Sequence, residues 1–216
     1  MPIDHMLDPL DVTAIRRDLC THRIGTYLYV FGRVVSTGAT LRALAEGGAP
    51  AGTVVFAESQ DTPGTPSHLN LYASVLLGTS LETVGIPGLT VLSSLALTDA
   101  LWTLGAHVSV RAPNEVVTGG RQVAVSHVDV IAAGDRRAHL AIGIAVNVNA
   151  GRDVLAASDT SLSEHLGRPI DRNALAADYL NHLEKWIRRY RAQGPEVIEA
   201  AWNERDLVTV CQRRPR

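Results

Sequence analysis

The sequence has 216 residues, of which 46% are hydrophobic and 19% are charged, and its formal net charge is −2. A chain of this length buries roughly 70% of its unfolded surface, so it needs neither a disulfide nor a metal to hold a core, and the weak charge argues against nucleic acid as a ligand. No apolar run approaches the roughly 18 residues of a membrane helix. We expect one cytoplasmic domain at residues 1–206 and a basic tail at 207–216.

The first half of the chain predicts alternating helices and strands. Asp8 followed by Pro9 is a capping acid before a preferred first helical residue, so a first helix is predicted at about residues 9–20. Further strands are predicted at 27–35, 53–57, 69–77 and 108–112, and further helices at 41–45 and 88–104. Residues 59–68 are rich in Pro, Thr and Ser, which is typical of an exposed connection.

The second half predicts two hairpins followed by helices. Strands are predicted at 115–117, 121–131 and 138–146, and helices at 171–192 and 195–202. Gly119 and Gly120 make the first turn, Asp171 can cap the long helix, and Gly194 can end it. The predicted fold class is α/β (α+β), with a mixed, largely antiparallel central sheet flanked by helices.

Common catalytic signatures are missing, including G-x-S-x-G, H-E-x-x-H, the P-loop and G-x-G-x-x-G. Ser126, His127 and Asp129 have the residue types of a triad, but on a strand Ser126 points away from the other two. An exposed strand face is therefore the preferred interpretation. Cys20 and Cys211 lack metal-ligand spacing, and we expect small buried thiols with no metal site.

Six short segments follow one another in an informative order. They are Val34 to Thr37, Gly52 to Gln60, Asn70 to Ser74, Leu104 to Ala106, Pro113 to Glu115 and Ile142 to Asn149. In this order and spacing the chain resembles the catalytic domain of biotin protein ligases, in the biotin/lipoate ligase superfamily, over almost its whole length. The resemblance implies that biotin and ATP with Mg are substrates, that no cofactor is bound covalently, and that the biotinyl group passes to a lysine on a carboxylase carrier domain. Neither the N-terminal DNA-binding domain nor the C-terminal barrel domain of some family members is expected.

The resemblance also assigns roles to individual residues. Ser36 and Thr37 would lie at the ureido end of biotin and Gln60 beside its ring, although Ser36 or Thr37 could simply cap a helix. The other implied ligand-binding positions are Asn114, Glu115, Val125, Gly143, Ala145 and Asn147.

Several positions depart from the family pattern. Gln122 replaces a lysine that bridges the biotin carboxylate and the α-phosphate, and Arg111 replaces the lysine of a Lys-Trp-Pro-Asn-Asp motif. The loop at 61–67 has no arginine, and Val125 and Ala145 replace pocket glycines. Losing one charge-stabilising donor costs about 10² to 10³ in rate, so activity is expected to be impaired.

Three interpretations stay open at this point. The chain could be a working ligase in which Arg111 or Arg121 replaces the lost cations, or a non-catalytic homologue that acts as a binding or interaction module. Lipoate or octanoate transfer shares the fold, but the only lysine, Lys185, is predicted on a C-terminal helix and not in the cleft. A homodimer formed through an exposed sheet edge is also expected by resemblance.

Overall fold

The computed structural model describes residues 9–61, 68–78, 85–133 and 136–205. Its helices are α1 (Val12–Arg17), α2 (Thr37–Glu46), α3 (Gly85–Thr103), α4 (Leu162–Leu166), α5 (Arg172–Gln193) and α6 (Glu196–Arg205). Its strands are β1 (Tyr27–Val34), β2 (Thr53–Gln60), β3 (Leu71–Leu77), β4 (Ser109–Arg111), β5 (Glu115–Thr118), β6 (Arg121–Ala133) and β7 (Arg136–Val146). None of the helices in these ranges is long and apolar enough to cross a membrane.

The seven strands form one mixed sheet in the order β1-β2-β3-β7-β6-β5-β4. β1 and β2 are parallel, and every other neighbouring pair is antiparallel. This arrangement confirms the predicted fold class. The central strands β2 and β3 are buried along their length because helices cover both faces of the sheet.

The alternation of side chains along the strands divides the core into two layers. On one face α2 packs Leu41 and Ala45 against Val55 and Leu76. The opposite face carries the larger cluster, in which α3 and α5 cover residues such as Phe56. The thin α2 layer leaves part of its own face of the sheet open for a pocket.

The first helix is shorter than predicted at both ends. Its N-cap is Asp11, whose side chain accepts a hydrogen bond from the amide of Ala14, and Asp18 is its C-cap. The backbone before α1 is held by α5 instead, because the Pro9 carbonyl accepts from the Asn173 side chain and the Asp11 amide donates to Asn173 Oδ1 at 2.8 Å. A tertiary contact overrides the local Asp-Pro signal here.

Other local signals are confirmed. Ser36 caps α2, Asp171 caps α5 and Gly194 follows the last turn of α5. β2 continues to Gln60, beyond the predicted end at 57, so the predicted connection begins later, and residues 62–67 lie outside the described ranges.

The expected burial of the cysteines was wrong for the one that the structure describes. Cys20 is exposed, because the chain leaves α1 at this point and runs over the surface, where the Cys20 amide donates to the side chain of Asn181. Cys211 lies outside the described residues.

Candidate functional site

A pocket opens where the N-terminus of α2 meets the exposed part of the sheet. Its volume is about 270 Å³. We call it the α2 pocket, and it is lined by Ser36, Thr37, Gly38, Ala39, Arg42, Gln60, His127, Asp129, Ile144 and Ala145. Four predicted ligand-binding residues, Ser36, Thr37, Gln60 and Ala145, are therefore brought together in one place.

Hydrogen bonds fix the first turn of α2 against β2 and β3. The Thr37 amide donates to Oε1 of Gln60 at 2.8 Å, and the Ser74 hydroxyl donates to the Thr37 hydroxyl at 2.9 Å. Ser36 Oγ accepts from the amide of Ala39 at 3.0 Å, as an N-cap does. Ser36 thus caps the helix and lines the pocket at the same time, so the two sequence interpretations are compatible.

The other wall of the pocket comes from β6 and β7. Val125, His127 and Asp129 share one face of β6, and Val125 and His127 lie opposite Ala145 and Gly143 of β7. The ring of His127 rests on Gly143, since a methyl group built there would be 2.1 Å from the ring carbon Cε1. Gly143 therefore makes room for His127.

As predicted, Ser126, His127 and Asp129 do not form a triad. Ser126 points to the opposite face, where it is buried and its hydroxyl lies 3.0 Å from that of Ser94. His127 and Asp129 stay together, with Nε2 and Oδ2 3.7 Å apart, and each side chain is 52% exposed. The exposed strand face predicted for them is in fact part of the α2 pocket.

The two arginines proposed to replace lost cations are both engaged by carboxylates. Arg111 Nε lies 2.5 Å from Glu115 Oε2, and Arg121 Nη1 lies 3.1 Å from Glu164 Oε1. Hydrogen bonds from Thr160 and then Arg121 lower the pKa of Glu164, so that carboxylate is ionised at neutral pH.

Gln122 is held through its main chain and does not line the α2 pocket. Its amide donates to the Ser158 carbonyl at 2.9 Å, and its carbonyl accepts from the Thr160 amide at 2.8 Å. These bonds attach the start of β6 to the segment before α4.

Asn114 and Asn147 make hydrogen bonds inside the protein. The Asn114 side chain donates to the Ser126 carbonyl at 2.6 Å, and Asn147 Oδ1 accepts from the Asn70 side chain at 3.0 Å. The first contact ties the residue before β5 to the middle of β6, and the second ties the start of β3 to the end of β7. Neither asparagine lines the α2 pocket.

Sequence reasoning missed a buried ion pair at the end of β2. Arg172 Nη1 donates to Glu58 Oε2 at 2.7 Å, and the two side chains are 1% and 7% exposed. Glu58 Oε1 also accepts from the Leu10 amide. The sequence carries no local signal for this pair, because Glu58 and Arg172 are 114 positions apart.

Sequence reasoning also did not select Arg42, His127 or Asp129 as ligand-binding residues. Because side chains alternate along β6, the sequence placed His127 and Asp129 on the same face. They become part of a pocket only because α2 packs beside them. Within the described ranges no group of three or more His, Cys, Asp or Glu side chains could hold a metal ion.

Comparisons with known proteins bear on the fold, although no protein-family model matches the sequence. The bifunctional ligase/repressor BirA of Bacillus spizizenii is 29% identical over 96% of this chain and 68% of that protein. The biotin–[acetyl-CoA-carboxylase] ligase of Mycobacterium tuberculosis is 26% identical over 95% of this chain and 80% of that protein. The Aquifex aeolicus biotin protein ligase in complex with biotin and ATP superposes with a TM-score of 0.71 and 21% identity, covering 84% of this chain and 79% of that one. The resemblance to the catalytic domain of biotin protein ligases is confirmed in sequence and in fold.

Proposed function

We propose that this chain is a small-molecule-binding homologue of the biotin protein ligases, one that keeps a ligand pocket and has lost efficient adenylation. The observation that carries the proposal is the pairing of Arg111 with Glu115 and of Arg121 with Glu164. Both arginines that the sequence offered as replacements for the missing lysine are therefore paired with a carboxylate.

Joining a carboxylic acid to ATP builds negative charge around the α-phosphate, and cations or preorganised donors must stabilise that charge. Gln122 is neutral, and the only lysine is exposed on α5, on the face of the sheet opposite α2. Arg42 lies at the α2 end of the pocket with Ser36 and Thr37, where the resemblance places the ureido ring and not the phosphate. The described residues therefore supply polar groups for a ligand head. At the implied reactive end Arg111 and Arg121 are paired with carboxylates, and Arg152 donates from Nη1 to the carbonyl of Asp159, which is bridged to Gln122, at 2.7 Å.

An active ligase is the second candidate, and the exposure of the same ion pairs favours it. The side chains of Arg111 and Glu115 are 42% and 32% exposed, and those of Arg121 and Glu164 are 37% and 33% exposed. Such pairs contribute about 0–1 kcal/mol and open easily, so an arginine could turn toward ATP. In that case biotin and ATP with Mg are the substrates, and a carboxylase carrier domain is the acceptor, as the name of the mycobacterial relative indicates.

Biotin-dependent exchange of pyrophosphate into ATP separates the two candidates. We expect the purified, folded chain to show no exchange above a biotin-free control, while the mycobacterial relative serves as the positive control. Biotin-dependent exchange by this chain, or transfer of biotin to a carrier domain, would refute the proposal in favour of the active ligase.

A gain-of-function variant tests whether Gln122 and Val125 weaken the binding of biotin. Gln122→Lys with Val125→Gly restores a cation and removes a branched side chain, so we expect biotin binding to strengthen about tenfold or more. Gln193→Lys, which adds the same charge at the exposed end of α5, is the matched control. Calorimetry that shows equal biotin affinity for both variants would contradict the assignment of Gln122 and Val125 to the site.

A further inference from the structure

The floor of the α2 pocket carries a histidine ring where β7 has no side chain. His127 lies opposite Gly143, and a methyl group built on Gly143 would be 2.1 Å from Cε1 and 2.3 Å from Nε2 of the ring. The ring rests directly on the main chain of β7, beside Ile144 and Ala145 of the pocket lining. A ligand in this pocket therefore meets the imidazole instead of the β7 backbone at this position.

Asp129 adds a carboxylate on the same face of β6. A methyl group built on Gly38 would be 3.9 Å from Asp129 Oδ2 and also 3.9 Å from Ser36 Oγ. The carboxylate thus lies beside the first turn of α2, where the partial positive charge of the helix terminus stabilises it. His127 Nε2 lies 3.7 Å from Asp129 Oδ2, which is longer than a hydrogen bond. The carboxylate oxygens in that position can accept N–H groups from a ligand.

Arg42 places a cation in the same small space. Its Nη1 lies 3.5 Å from the carbonyl oxygen of Val130, next to Asp129 in the chain. One guanidinium and one carboxylate balance each other, which favours a neutral ligand over a charged head group. The volume of about 270 Å³ is below the range of roughly 300–1,000 Å³ that is common for small-molecule sites.

We propose that His127 and Asp129 determine the specificity of the α2 pocket, so that it accepts a compact neutral head group, a cyclic urea or amide without a second fused ring. Asp129 accepts the N–H groups of this ligand, Arg42 or the Ser36 and Thr37 hydroxyls donate to its carbonyl, and the His127 ring occupies the space of a fused ring. The inference rests on the proposed function, because it concerns the same pocket. Biotin, whose urea ring is fused to a sulfur-containing ring, then binds the parent weakly, because its second ring meets the His127 imidazole.

Two probes and three variants test this assignment by NMR titration of the ¹⁵N-labelled full chain. The probes are imidazolidin-2-one, a single-ring urea, and biotin. We expect the parent to bind imidazolidin-2-one with shifts at pocket amides, and His127→Ala to bind biotin about tenfold or more tighter than the parent. Asp129→Asn should weaken imidazolidin-2-one binding about fivefold or more because an amide replaces one acceptor oxygen with a donor.

His107→Ala removes an exposed histidine that does not line the α2 pocket and should leave both affinities unchanged. His127 and Asp129 are half exposed, so both variants should fold, and thermal unfolding checks this. Equal biotin affinity in the parent and His127→Ala, or no imidazolidin-2-one binding by the parent, would overturn the inference. Pyrophosphate exchange is a separate readout: exchange by the parent refutes the proposed function, whereas an unchanged biotin affinity in His127→Ala refutes only the specificity assignment.

Discussion

Glu58 and Arg172 form the most deeply buried ion pair that the structure describes, and they connect residues that are 114 positions apart. Arg172 also donates to the Asn70 carbonyl at 3.2 Å, so one guanidinium holds the end of β2, the start of β3 and the start of α5. Burying these charges gains little net stability, but removing one partner leaves the other charge uncompensated. The pair therefore fixes one arrangement of the elements beside the candidate site.

Arg172→Met is expected to destabilise the protein by about 3–5 kcal/mol, because it leaves Glu58 buried and ionised. Adding Glu58→Gln should recover part of this loss, since no buried charge is left. Urea unfolding followed by circular dichroism measures both effects. Arg168→Met removes an exposed arginine four residues earlier and serves as the control; an equal loss in this control would show that burial is not the cause.

Individual pocket residues were only partly predictable. The resemblance selected Ser36, Thr37 and Gln60 from their motifs, and the structure brings them into one pocket. His127 was not predicted as a ligand-binding residue, because the sequence does not show which residues a histidine on a strand contacts. Its role depends on Gly143, sixteen positions away on the paired strand, and sequence spacing cannot supply that contact.

At the scale of elements, helix ends were predictable where the signal is local. Asp171 accepts hydrogen bonds from the amides of Asn173 and Ala174 at 2.8 and 3.2 Å, and nothing else competes for these groups. At α1 the Asp8-Pro9 signal failed because distant side chains, Glu58 and Asn173, bind the backbone before residue 11. Local rules hold only where tertiary contacts leave the backbone free.

Asp171→Ala is expected to cost about 1 kcal/mol, since α5 then loses its N-cap. For a protein of this size the loss lowers the melting temperature by about 2–4 °C. Asp171→Asn keeps a capping oxygen and should change the melting temperature much less. Similar melting temperatures for the alanine and asparagine variants would show that the cap contributes little to stability.

For the molecule as a whole, Glu184 couples its stability to pH. The carboxylate accepts hydrogen bonds from the amides of His22, Arg23 and Ile24 at 2.7 to 2.9 Å, which ties the segment before β1 to α5. Burial alone would raise the pKa of Glu184, but these three amides together bring it below its ordinary value of 4.5. A carboxyl group with a lowered pKa in the folded state stabilises the fold above pH 4.5, and that contribution is lost as the pH falls through the folded-state pKa.

Glu184→Gln is accordingly expected to reduce the free energy of unfolding at pH 7, by about 1–3 kcal/mol for the charged hydrogen bonds. The difference from the parent should shrink as the pH falls below about 4.5, because the parent then loses the same charge. Urea unfolding of both proteins between pH 3 and 7, with the exposed Glu199→Gln as control, measures this. A difference that does not change with pH would mean that shape, and not charge, accounts for the effect.

The ordered motifs were sufficient to predict the fold class and the resemblance to biotin protein ligases, since both depend on many short signals along the chain. Whether the chain still catalyses adenylation depends on a few ion pairs. The partners in these pairs can come from elements far apart in sequence, as Arg121 and Glu164 do. That level of detail requires the folded structure.

The single lysine has a practical and chemical consequence. Amine-reactive reagents have one side chain to attack, Lys185, which is exposed on α5, on the side of the sheet away from the α2 pocket. A fluorophore or a surface linker attached there leaves the ligand face open. For the same reason, any activated acyl group that this protein released could label its own side chains as an amide only at that position. Among side-chain amides, self-acylation would therefore appear in a mass spectrum as one modified peptide from α5.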